Sequence, residues 1–180
     1  MAKWNRKLNL TALQLEPAST EAIDRLLIEP AVASQSIEAS DSLLIDVGSG
    51  GGSPAIPLKL CAPGLGLVMV EAKARKAAFL RDVTRQLDLK DVEVANSRLE
   101  ELLATSGLNG RADLISMRAV RADEKLWGQI GALLSPRGRV LWFSASATSQ
   151  PASASGLKTI TSIPLPGTSR LFVLRSRTAS

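Results

Sequence analysis

The segment D-V-G-S-G-G-G-S-P at residues 46–54 constrains this chain more than any other, with glycine at 48, 50, 51 and 52. Glycines so dense provide no side chains to pack, so the segment reads as a tight turn whose backbone lets another group come close. Before it, residues 42–47 read S-L-L-I-D-V, a near-continuous apolar run like a parallel strand buried on both faces. After it, residues 55–61 read as a helix. A strand, a glycine turn and a helix open an α/β sheet, and such sheets bind ligands in the crevice at the C-terminal ends of their strands.

The rest of the chain continues the alternation. Strand-like runs recur at residues 67–70, 92–95, 114–117 and 139–143. Between them, residues 73–87 place Ala77, Leu80, Val83, Thr84 and Leu87 on one helical face, with Lys73, Arg75, Lys76, Arg81 and Arg85 read as a solvated face. Residues 124–134 repeat the pattern with Leu126, Trp127, Ile130, Leu133 and Leu134. Two short runs at 159–163 and 171–175, joined through Pro164, Pro166 and Gly167, read as a closing hairpin-type pair. The expected fold is α/β and Rossmann-like: a seven-stranded, mostly parallel sheet with helices on both faces. Residues 1–40 form a helical segment packed on the main unit at 41–180, together one structural domain. In that segment a helix around residues 20–28 is bounded by Pro17 and Pro30. The Ser/Ala-rich stretch 144–156 reads as a loop, and Cys61 as a helix-packing residue.

Composition narrows the chemistry. Lys and Arg outnumber Asp and Glu by 22 to 17, a formal charge of +5, which favours a polyanionic partner such as RNA. There is no histidine, the commonest general base and metal ligand, so the chemistry should need little proton transfer, and no metal constellation is visible. No apolar run is long enough to span a membrane. The N-terminus lacks the apolar stretch of a signal peptide, and the single cysteine excludes an internal disulfide. A cytoplasmic monomer is expected.

Glu71 ends the second strand run, nineteen residues after Gly52. An acid at that distance can accept the ribose hydroxyls of an adenosine cofactor. Two cofactor classes fit a glycine loop with such an acid. A dinucleotide site wants G-x-G-x-x-G/A, and this chain has Ser53 at the third position. It has instead an acid two residues before the first glycine, in D-x-G-x-G-x-G. S-adenosylmethionine carries an ammonium and a sulfonium rather than phosphates, so Asp46 favours it. Asp46, Gly48, Ser49, Gly50, Gly52 and Ser53 are the loop's candidate cofactor contacts.

Further motifs narrow the reading. The N-terminus reads W-N-x-x-x-N-L-T over residues 4–11, and the loop continues as G-S-G-G-G-S-P-A-I-P over 48–57. K-A-A-F-L-R follows at 76–81, S-R-L-E-E-L at 97–102 and S-M-R-A-V at 116–120. Together these resemble the glucose-inhibited division protein B family, bacterial S-adenosylmethionine-dependent methyltransferases of guanine N7 in small-subunit (16S) ribosomal RNA. The resemblance implies a class I methyltransferase fold and 16S rRNA or the small ribosomal subunit as partner. It implies that Gly48, Gly50 and Ser53 line the methionine side of the cofactor, Glu71 holds the ribose, and Leu99 and Glu100 border the adenine. Arg118 would stand where cofactor and substrate meet, and Arg98 and Arg170 would face RNA phosphates. Asp24 and Arg118 would orient the substrate, Asp24 at a guanine edge, and Trp4 would offer a stacking surface. Trp127, Phe79 and Phe172 read as core.

The chain departs from the family pattern in places. Glu21 and Arg25 stand where a histidine and a serine are usual, and Ser53 replaces a large apolar residue. The lysine-glycine pair after the fifth strand is absent, Ser144 following Phe143 instead. Two alternatives stay open: a methyltransferase with another substrate, and a non-catalytic RNA-binding module on the same scaffold.

Overall fold

The computed structural model describes residues 1–120, 123–145 and 156–176. Seven strands form one sheet in the order β3-β2-β1-β4-β5-β7-β6. They are β1 Leu43–Val47, β2 Gly66–Val70, β3 Val92–Ala95, β4 Ala112–Arg118, β5 Leu134–Ser144, β6 Leu157–Pro164 and β7 Arg170–Ser176. The first five are parallel, and β7 inserts antiparallel between β5 and β6, as the closing pair predicts.

The period of two along each strand sorts the core into two layers. Leu44, Leu67, Met69, Leu114, Leu141 and Phe143 face α4 (Ala55–Cys61) and α5 (Ala74–Gln86), which bring Leu58, Phe79 and Leu80. Ile45, Val47, Val70, Ile115, Met117 and Val140 face α6 (Leu99–Thr105) and α7 (Glu124–Leu133), with Leu102, Trp127 and Ile130. The N-terminal segment joins the first layer through Leu10 and Ala33.

Several local expectations need correcting. Pro30 does not end the N-terminal helix. Helix α2 (Thr20–Ile23) runs into one π-helical turn, Asp24–Ile28, and on through Pro30 as α3 (Glu29–Ala33). In the wide turn the Glu29 amide reaches back to the Asp24 carbonyl. The widened turn relieves the clash a proline ring makes with the carbonyl four residues earlier. Strand β5 starts at Leu134 rather than 139, directly at the end of α7. Leu87 falls beyond the end of α5 and is exposed, and Phe79 supplies the burial instead. Cys61, in the last turn of α4, is also exposed. Most of the Ser/Ala-rich stretch, residues 146–155, lies outside the described residues. No helix among the described residues is long and apolar enough to cross a membrane.

Candidate functional site

The glycine loop leaves β1 in the middle of the sheet and is tied to the end of β2. The Gly48 and Ser49 amides both donate to the Val70 carbonyl at 3.0 Å. The Gly50 amide donates to Glu71 Oε2 at 2.9 Å, and the Lys73 amide to Glu71 Oε1 at 2.8 Å. Gly48 and Gly52 take left-handed φ values of 74° and 88°. A Cβ at Gly48 would stand 2.9 Å from Val120 Cγ2, and one at Gly52 2.6 Å from Ile56 Cδ1. Both positions therefore need glycine for conformation and for space. Ala119 is itself left-handed, with φ 53°, in the turn that sets Val120 against Gly48. A cavity of about 410 Å³ opens between the loop, residues 10–13 and residues 118–120. That is the size of a small-molecule site.

Asp46 is buried on β1, just before the loop. Its Oδ1 accepts the Ser116 hydroxyl at 2.5 Å, while Oδ2 has no partner among the described residues. Burial pushes the carboxyl up to about 6, against the lowering effect of the Ser116 bond. Between the ordinary value of 3.8 and about 6 the folded state binds more protons than the unfolded one. Stability should therefore fall as pH rises through that window, by about 3 kcal/mol. Asp46→Asn keeps an acceptor for Ser116 and cannot ionise. It is expected to melt several degrees above the wild type at pH 7.5 and level with it near pH 4, as thermal melts at the two pH values would read.

Arg118 ends β4 with its side chain only 10% exposed. Its Nη2 pairs with Glu29 Oε2 at 2.8 Å, its Nη1 donates to the Arg25 carbonyl, and its guanidinium lies 4.5 Å from the Phe143 ring centre. Burial pulls the guanidinium down to about 10, opposed by Glu29, so it stays charged at neutral pH. Ser53 Oγ donates to the Leu26 carbonyl at 3.0 Å. The Arg25 and Leu26 carbonyls belong to the turn before Pro30, which has no N–H to give back to the helix. The proline and the π turn thus present acceptors that Arg118 and Ser53 use to dock this helix over the cavity.

The W-N-x-x-x-N-L-T motif shapes the opposite wall. Asn5 Nδ2 donates to the Thr11 carbonyl at 3.0 Å and its Oδ1 accepts the Thr11 amide at 2.9 Å. Asn9 ends α1 (Ala2–Leu8) in the left-handed conformation, with φ 49°. This clamp buries Leu10 and lays residues 10–13 along the cavity.

Gly48, Ser49, Gly50, Ser53 and Arg118 line the cavity. Asp46 and Glu71 adjoin the loop, and Gly52 is buried under it. The other candidates stand apart. Leu99 is buried in α6, and exposed Glu100 pairs with Lys125 at 3.6 Å; neither lines the cavity. Asp24 lies in a neighbouring cleft with Glu21 and residues 166–169, so it and Arg118 do not share a wall. Trp4 packs edge-on to Phe79, ring centres 5.7 Å apart, and lines another cleft. Arg98 precedes α6, its amide donating to Glu101 Oε2 at 3.0 Å. Arg170 begins β7 and donates to Ser162 Oγ at 2.8 Å. β3 and β7 lie five strand spacings apart, which separates Arg98 from Arg170 by roughly 24 Å. Glu21 on α2 and Arg25 in the π turn, two of the departures, face each other at 3.8 Å.

Sequence reading gave no site role to Glu29, nor to Ser116 and Val120 of the S-M-R-A-V motif. An acid in the apolar stretch L-L-I-E-P-A-V and a serine inside a buried strand were the available signals.

The family model described as GidB, rRNA small subunit methyltransferase G, matches residues 1–160. The chain belongs to this family. Ribosomal RNA small subunit methyltransferase G of Stenotrophomonas maltophilia strain K279a is 37% identical over 141 residues, covering 77% of this chain and 61% of that protein. The protein of the same name from Chloroflexus aggregans is 35% identical over 143 residues, covering 76% and 59%. The chain thus spans about six tenths of the length of these curated relatives. Among solved structures, a SAM-dependent methyltransferase from Aquifex aeolicus superposes with TM-score 0.67 at 12% identity, covering 89% of this chain and 95% of that one. Mitomycin 7-O-methyltransferase MmcR gives 0.69 at 18% identity, over 86% and 54%. At such identities the likeness is one of fold, and the fold is that of class I methyltransferases.

Proposed function

We propose that this GidB-family chain is an S-adenosylmethionine-dependent methyltransferase of guanine N7 in small-subunit (16S) rRNA, acting as a cytoplasmic monomer. The observation that carries the reading is the family match across residues 1–160, which spans every wall of the glycine-loop cavity. The residues there fit the cofactor. Asp46 Oδ2 is a buried acceptor without a partner among the described residues, suited to an ammonium group. Glu71 closes the loop and retains lone pairs for ribose hydroxyls. The bare backbone at Gly48 and Gly50 permits close approach. When bound, S-adenosylmethionine supplies an electrophilic methyl group. Guanine N7 carries an exposed lone pair, so the chain's task is to hold and orient two reactants rather than to remove a proton. A protein without histidine is suited to that. Arg118, fixed by Glu29, orients groups where cofactor and base meet.

The test is transfer of labelled methyl from S-adenosylmethionine to 16S rRNA and to small subunits from a strain lacking this modification. Label recovered as N7-methylguanosine in 16S rRNA supports the reading. Label in another base or another molecule would move the chain to a different substrate, which the Glu21–Arg25 pair makes the second reading. Cofactor binding without transfer to any RNA would overturn it.

A further inference from the structure

We propose that the groove between α1 and the first turn of α5 is a track for single-stranded RNA, leading its phosphates to the glycine-loop cavity. The inference rests on the RNA-modifying reading and names a surface for it.

Lys7 at the end of α1 and Lys73, Arg75 and Lys76 at the start of α5 converge on one groove of about 320 Å³. An adjoining cleft of about 390 Å³ is lined by Lys3, Trp4, Arg6 and Lys7. Lys7 belongs to both, and Lys76 belongs to the groove and to the cavity over the glycine loop. The three depressions therefore form one path, with cations along it and the partly open Trp4 ring beside it. Among the described residues no acid lines the groove or the adjoining cleft, and Arg6 is the only one of these cations in an ion pair, with exposed Glu16 at 3.3 Å. An exposed pair of that kind neutralises little. Cations on an ordinary solvated helix point away from one another; here two elements aim theirs into one concave surface. Phosphates along a strand, with a base able to stack on an aromatic ring, match that arrangement. Arg98 and Arg170, far apart on the sheet edge, do not. An anionic membrane is the weaker match: α1 has seven residues, and its Trp4 packs on Phe79 instead of heading an open apolar face.

The test uses the full chain and a fluorescein-labelled single-stranded RNA, with anisotropy followed against salt. Lys3→Glu, Lys7→Glu and Arg75→Glu are combined in one variant. Arg111→Glu, Arg137→Glu and Lys158→Glu form a control with the same charge change, on exposed positions at the far edge of the sheet. Each phosphate contact on a single strand adds about 0.7 to the salt slope. The groove variant is expected to lose about 2 from that slope and to bind on the order of a hundredfold more weakly near 0.1 M salt. The control should bind as wild type, and all three proteins should bind S-adenosylmethionine equally. Equal weakening by both variants, or by neither, would overturn the proposal. So would groove-dependent capture of phosphatidylglycerol vesicles without RNA binding. Lost methyl transfer with groove-dependent RNA binding intact would count against the function alone; groove-independent RNA binding with transfer intact would count against this track alone.

Discussion

Exchanging Glu29 for alanine is expected to lower the stability of the protein by about 3–5 kcal/mol, read as a fall in the denaturant midpoint. Glu29 and Arg118 form a buried pair, with side chains 2% and 10% exposed. Removing the carboxylate leaves a charged guanidinium between the Phe143 ring and the Arg25 carbonyl, without the one ion-pair partner it has among the described residues. An uncompensated buried charge is far more costly than a missing pair. A double change, Glu29→Leu with Arg118→Met, should therefore recover most of the loss in stability. The helix over residues 20–33 should stay less firmly held than in the wild type even in the double variant, because Arg118→Met also removes the bond to the Arg25 carbonyl, and limited proteolysis would report this. A loss below about 1 kcal/mol for Glu29→Ala would mean that water reaches the pair, and the account of how this helix is docked would fail.

The second large effect concerns Glu71. Glu71→Ala should weaken S-adenosylmethionine binding by ~100-fold or more, because the two charged hydrogen bonds proposed to the ribose hydroxyls would be lost at about 1.5–3 kcal/mol each. It also frees the Gly50 and Lys73 amides, which Glu71 Oε2 and Oε1 now accept. Glu71→Gln separates the two contributions. It keeps one acceptor oxygen but sets its NH2 against the other amide donor, so it should lose less stability than Glu71→Ala while affinity remains reduced. Calorimetry on both variants reads the difference, and wild-type affinity in Glu71→Ala would remove Glu71 from the site.

The sheet was legible because its signals are local. Strands buried on both faces read as continuous apolar runs, the helices between them as period-3.6 stripes, and the glycine loop as a turn no other residues could make. The N-terminal segment was not, because what holds it is distant in sequence. Pro30 looks like a helix stop until the π turn and the carbonyls it presents to Arg118 and Ser53 are seen together. The spacing of W-N-x-x-x-N-L-T could not show that its asparagines form a clamp that shapes a cavity wall. Periodicity along one helix could not show that the cations of α5 face those of α1 across a groove. Nor could it place Asp24 and Arg118 in separate clefts, since that depends on how the helix rolls over the sheet edge.

Calorimetric titration of the full chain with S-adenosylmethionine, wild type beside Gly48→Arg, tests whether the glycine-loop cavity is the cofactor site. One-site binding is expected for the wild type, weakening as pH falls through about 6 and Asp46 takes up its proton. No binding is expected for a folded Gly48→Arg, whose side chain would start 2.9 Å from Val120, both positions lining the cavity. A wild type that does not bind, or a Gly48→Arg variant that binds equally well, would contradict that assignment.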